Sequence, residues 1–252
     1  MRKILVLFAV FLIVAISIST YQNSPEAILD KIGTVKLKAG LKEAIYEIYL
    51  FGILPVGKAV LSEEGVIKYK DENLYHLNAK AESEGIVSKI YPFSANIDSY
   101  LEPGTMLPLI FKQSIKTKDK EISKEAKYDQ TNNIMQIKDE RRSILPETYE
   151  PLSAFLKLRN MDLDKTASFD LNINTNQKNY AFRGSVKKDG CRLKGGTQKI
   201  YRLSVKIFRR DKNPYHQSQV DFIFLADKAK TPIFIKVFAS GGLITMRLVN
   251  AE

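Results

Sequence analysis

The chain has 252 residues, 39 basic against 28 acidic side chains for a net charge of +11, 44% hydrophobic residues, one cysteine and no tryptophan. A single thiol makes no intramolecular disulfide, and one cysteine with two histidines leaves a zinc centre without its usual ligands. The positive excess is spread over many lysines rather than gathered in a block, and no aromatic stacking motif rides on a basic face, so nucleic acid is excluded as a partner.

Arg2 and Lys3 precede an uncharged run at residues 4–18 (ILVLFAVFLIVAISI), and Ser17 and Ser19 put small side chains at the minus-three and minus-one positions of a cut after Ser19. This order predicts a secretory signal peptide over 1–19. Its apolar run is about fifteen residues long, short of the roughly 20 that span a bilayer, so cleavage is expected rather than anchoring. Cys191 lies far from the signal and cannot be its acylation site. Residues 20–41 read as a lead-in segment, with Pro25 placed to start a short helix through Ile32 and Gly33 to end it. Residues 42–252 read as one domain.

From Ala44 onward strand signals follow one another. Phe169, Leu171 and Ile173 alternate with polar residues, as do Tyr201, Leu203, Val205 and Ile207, which predicts strands with one wet face. Asp189-Gly190, Gly195-Gly196 and Gly241-Gly242 are predicted turns, the last joining PIFIKVF and LITMRLV into a C-terminal hairpin. Roughly eleven to thirteen strands are expected, too many for an open sheet without long bare edges. The expected fold is all-β with few short helices: a single-domain antiparallel β-barrel, closed or half-open, with short covering helices.

Two segments carry helical spacing. Ile86, Val87, Ile90 and Tyr91 recur in EGIVSKIYPF, and Leu152, Phe155 and Leu156 in PLSAFLKLRN, where Pro151 suits the first turn. They are expected either to pack as core at the barrel ends or to close a cavity. Ile86, Ile90, Tyr91, Phe93, Leu152, Phe155 and Leu156 are therefore the candidate ligand-binding residues. The mixed run KTKDKEISKEAK at residues 116–127 reads as a solvated hairpin face, with attraction to anionic headgroups or wall polymers as its other role.

Catalytic chemistry leaves no trace. There is no G-x-S-x-G, no phosphate-cradling glycine loop, and His76, His216 and Cys191 stand at no ligand spacing from one another. His76 lies in a half-buried strand pattern and reads as structural, and His216 lies in a polar turn. The acid pairs Glu63-Glu64 and Asp139-Glu140 read as turn and surface residues. A non-enzyme without cofactor or metal is expected.

Four ordered segments carry a family resemblance: YEIYLFGILPVGKAVL (46–61), PLSAFLKLR (151–159), FIFLADKAKTPIFIKV (222–237) and GGLITMRL (241–248). Together they resemble the exported bacterial proteins of the domain of unknown function 3108. The chain departs from the common form before Pro232, where Phe224, Leu225, Ala226 and a lone Asp227 replace an aromatic residue and an acid pair. The resemblance implies a periplasmic β-rich protein and carries over no catalytic residue. The expectation is a non-catalytic barrel that binds or carries an apolar, lipid-like ligand in its interior. The alternative is a structural or interaction protein of the envelope with a packed barrel and a basic docking face, weakly attracted to anionic membrane surfaces.

Overall fold

Period-two alternation carries most of the chain into strands. The computed structural model describes residues 42–193, 196–210, 218–239 and 242–251. The predicted signal peptide, the lead-in helix at 25–32, His216, Gly195 and Gly241 lie outside the described residues. The first wing comprises β1 (Glu43–Leu50), β2 (Leu54–Tyr69), β3 (Glu72–Ser83), β4 (Phe93–Leu101), β5 (Pro108–Thr117), β6 (Glu121–Asp129), β7 (Ile134–Ile137) and β8 (Glu140–Ser143). The second comprises β9 (Thr148–Tyr149), β10 (Ser168–Thr175), β11 (Lys178–Leu193), β12 (Gly196–Arg209), β13 (Ser218–Leu225), β14 (Pro232–Ala239) and β15 (Gly242–Ala251). Helix α1 (Gly85–Ile90) follows β3, and α2 (Pro151–Asn160) follows β9.

The fifteen strands among the described residues form one sheet, ordered β8-β7-β6-β5-β4-β3-β2-β1-β15-β14-β13-β12-β11-β10-β9. Each wing is an antiparallel meander apart from the short β9, which pairs parallel with β10, and the wings join where β1 pairs with β15. The two outermost strands, β8 and β9, are neighbours in sequence, linked only by residues 144–147. So short a link brings the far edges of the sheet together and rolls it into a half-open barrel. Side chains bridge the seam where no ladder does. Asn179 Nδ2 donates to the Ser143 carbonyl at 3.2 Å, Asn172 Nδ2 to the Pro146 carbonyl at 2.8 Å, and Gln130 Nε2 to the Thr148 carbonyl at 3.0 Å.

The strands exceed the expected number because β7, β8 and β9 are too short to show a pattern in sequence. One predicted turn is corrected. Asp189-Gly190 lies inside β11, where both residues pair with β12, opposite Ile200 and Lys199. Asp189 accepts from the Gly190 amide at 2.8 Å and from Arg202 Nε at 2.6 Å, so its turn-forming side chain is engaged without a reversal. The C-terminal hairpin forms as expected.

Helix α2 occupies the barrel interior. Glu150 caps it, accepting from the Leu152 and Ser153 amides at 2.7 and 2.6 Å, and the Ser153 hydroxyl accepts from the Glu150 amide at 3.0 Å in a reciprocal capping box. Pro151 at the first turn costs no hydrogen bond there. The helix buries Ser153, Ala154, Phe155, Leu156, Leu158 and Arg159, so it is enclosed on most sides by the core. The Phe155 ring lies 5.8 and 5.9 Å from those of Phe222 and Phe224 on β13.

Candidate functional site

The interior gives little room. Phe155 and Leu156 are buried in the main core, and Phe93 and Leu152 pack against it half-buried. Ile86 and Ile90 of α1 stand 75% and 72% exposed, with Tyr91 at its end also exposed. None of the seven predicted residues lines the β4–β7 groove or the seam pocket described below. Both helices have the same apolar spacing. What separates them is that α2 follows a buried capping carboxylate, whereas α1 has no side-chain cap and no buried residue.

A groove of about 600 Å³, lined almost wholly by polar residues, runs along β4–β7. Strand register explains its chemistry. Asn96 and Asp98 pair with Ser114 and Lys112, which pair in turn with Ser123 and Glu125, so these side chains share one face of the sheet. Gln136 on β7, opposite Lys127, extends it, and Lys138 closes its end. Lys112, Lys127 and Lys138 face two acids, and hydroxyls, amides and Ile137 fill the rest, while Lys124 alternates with Ser123 and Glu125 and turns its ammonium to the other side of the sheet.

One wall is stiffened by a buried histidine. His76 is 7% exposed, with its Nδ1 hydrogen-bonded to Glu64 Oε2 at 2.9 Å and its Nε2 to Asp98 Oδ1 at 3.0 Å. The Asp98 bond, ahead of that from Glu64, holds the imidazole above its ordinary pKa, and the same bond draws the Asp98 carboxyl below its own. Asn78 and Asn96 also donate to Asp98, both at 2.8 Å. Tyr100 stacks on the imidazole with centroids 4.6 Å apart, and Lys112 donates to Tyr69 at 2.9 Å beside that ring pair. His76 thus braces Glu64 against Asp98, one of the two acids of the groove.

A bulge in β2 creates this arrangement. The pairing with β3 shifts between Glu63 and Gly65, leaving Glu64 unpaired, and Gly65 takes the positive φ of 75° that the irregularity requires. Glu64 reaches His76 on the outer face. Glu63 points inward, where it pairs with Arg159 of α2 and accepts from the Tyr75 hydroxyl at 2.9 Å. Arg159 Nη2 also donates to the Ala229 carbonyl at 2.9 Å. The Glu63-Glu64 doublet, read in sequence as surface, is thus split between two networks.

Behind the groove a small polar pocket lies at the seam. Lys124 Nζ donates to Asn176 Oδ1 at 3.2 Å across it, and burial pulls this lysine below its ordinary pKa. Glu150, which also accepts from the Ser99 hydroxyl at 2.6 Å, lines the same pocket, and burial raises its carboxyl pKa. Sequence reading missed the groove because its residues have the look of an ordinary wet strand face. The usable signal was the alternation itself: Asn96 and Asp98, then Lys112 and Ser114, then Ser123 and Glu125 repeat polar residues at spacing two. Among the described residues no three His, Cys, Asp or Glu side chains gather as a metal site, and no helix is long and apolar enough to cross a membrane.

A family model described as "Protein of unknown function (DUF3108)" matches residues 45–249. Among solved structures, the chain is similar to a β-barrel-like protein of domain of unknown function DUF1849 from Brucella abortus. The TM-score is 0.58 at 13% sequence identity, covering 82% of this chain and 95% of that one. At that identity the likeness is one of fold. No curated protein matches the chain.

Proposed function

The chain belongs to the DUF3108 family, and for this member we propose an exported, non-catalytic β-barrel module of the periplasm. Its outer β4–β7 groove binds an anionic, hydroxyl-rich ligand of the envelope. The observation that carries this reading is the lining of the groove: Lys112, Lys127 and Lys138 against two acids, one of them tied to His76, with serine hydroxyls and amides between them. Ammonium groups supply attraction to carboxylate or phosphate, and hydroxyls and amides match a polyol or sugar backbone. The apolar-ligand expectation for the interior has α2 in its way, locked there by Glu150 and Arg159. The non-catalytic character rests on His76 having both nitrogens committed. Export rests on the order of charge, apolar run and small residues at 1–19.

Tetragalacturonate and glycerol phosphate are suitable probes. Calorimetric titration of the mature chain should give saturable binding of at least one of them, weakened as salt rises. The double variant Lys127→Glu with Lys138→Glu should lose that binding while melting at the parent temperature. Heat flow indistinguishable from dilution for both probes, or equal binding by the variant, would refute the proposal.

A further inference from the structure

Exposed apolar side chains are not scattered over this barrel. Seven of the nine large hydrophobic residues exposed among the described residues, Ile53, Leu54, Ile86, Ile90, Tyr91, Ile122 and Phe238, fall at one end of it. Strand direction requires this. In the meander, the β1–β2 turn, α1, the β5–β6 turn and the end of β14 all lie at the same end of the sheet. Hydrogen bonds tie three of these into one rim. The Phe51 amide donates to the Leu243 carbonyl at 2.7 Å, opposite Phe238 in the β14–β15 pair, and the Glu84 amide donates to the Val56 carbonyl at 3.1 Å.

From this geometry we infer that the barrel docks end-on to an anionic lipid bilayer through this rim, with Ile53, Ile86 and Ile90 entering the headgroup layer. Three observations favour a bilayer over a protein partner. First, Ile53, Ile86 and Ile90 are each more than two-thirds exposed, so they protrude, whereas a groove that receives a partner's side chain half-buries its own walls. Second, they sit on separate connections and form no continuous strip at helix or strand spacing, so there is no template for a docked peptide. A fluid headgroup layer needs none. Third, Lys89 in the last turn of α1 and Lys116, Lys118 and Lys120 at the β5–β6 turn stand beside these tips. They outnumber Glu82, Asp119 and Glu121 there, Glu84 being paired with Lys58 at 2.7 Å, and the chain stays strongly basic without the Arg2 and Lys3 of the predicted signal. Protruding apolar tips beside lysines are the two contributions that add in binding an anionic interface. The end-on pose directs the β5–β6 end of the polar groove toward the headgroups, but docking does not depend on what the groove binds.

The chain has no tryptophan, so Ile90→Trp gives a background-free reporter. With vesicles of phosphatidylethanolamine and phosphatidylglycerol at 7:3, its emission should shift to the blue, with little change on phosphatidylcholine vesicles. In co-sedimentation, the mature chain should partition onto the anionic vesicles. Ile86→Ser with Ile90→Ser should cut that partition by about tenfold, from the alkyl surface removed, at an unchanged melting temperature. Lys118→Glu with Lys120→Glu should weaken it and reduce its salt dependence. The groove variant Lys127→Glu should leave it unchanged, which separates failure here from failure of the groove proposal. The inference is overturned by a wild-type chain that stays in the supernatant, by serine variants that partition like wild type, or by serine variants that change only the sedimentation coefficient of the free protein. The last result would assign the rim to contact between copies of the chain.

Discussion

Arg159→Met tests how α2 is held in the barrel. In the native chain the Arg159 side chain is 6% exposed and that of its partner Glu63 is 13% exposed. Removing the guanidinium leaves a carboxylate in the interior with the Tyr75 hydroxyl as its remaining donor, and it takes from the Ala229 carbonyl its 2.9 Å donor. Breaking a buried pair from one side costs about 3–5 kcal/mol, because the surviving charge is uncompensated. At about 2–4 °C per kcal/mol for a domain of this size, the melting temperature should fall by roughly 10 °C. Glu63→Leu alone should cost a similar amount. The double variant removes both charges and leaves only the Tyr75 hydroxyl and the Ala229 carbonyl short of partners, about 1 kcal/mol each. It should therefore be more stable than either single variant. Urea denaturation of the four proteins, closed as a double-mutant cycle, measures the coupling. Single costs that add to within about 0.5 kcal/mol, or an Arg159→Met cost below about 1 kcal/mol, would refute the view that this pair fixes the helix.

Two further outcomes follow from the packing. The His76 imidazole titrates above its unfolded value, so the stability it contributes is complete below about pH 6.5 and is lost as pH rises through the raised folded pKa, while Asp98, held low, loses its share only in acid. His76→Gln should flatten the fall in melting temperature on the alkaline side of pH 6.5, and a variant with the same pH profile as wild type would remove the ion pairs from the argument. Gly184 faces Phe169 across the β10–β11 pair, and a Cβ there would lie 2.5 Å from the Phe169 ring and 2.9 Å from the Ser204 carbonyl oxygen. Gly184→Ala should cost about 1–3 kcal/mol by overpacking, part of it recovered by Phe169→Leu, and thermal melts of the two proteins will check both signs.

Much of the scaffold was legible because its causes are local. Alternation in β10 and β12 set their faces, the glycines near 241 marked the last hairpin, and Pro151 with Leu152, Phe155 and Leu156 announced α2. The groove was not legible, since a polar strand face reads alike whether it looks onto bulk water or into a concavity. Curvature of the sheet distinguishes the two, and curvature is a property of many strands at once.

The sequence by itself determined that the described residues would be mostly antiparallel strand with two short helices. Side-chain period, turn residues and caps act over a few residues and need no distant partner. Tertiary structure alone decided which helix went inside, where the barrel closes, and what Glu63 and Glu64 do. Those outcomes depend on contacts between remote segments: Glu63 with Arg159, Asn179 with Ser143, and His76 with Asp98 across the β3–β4 pair. Burial turns such contacts from weak surface pairs into strong constraints, because an unpartnered charge or amide inside the barrel has no water to replace its partner.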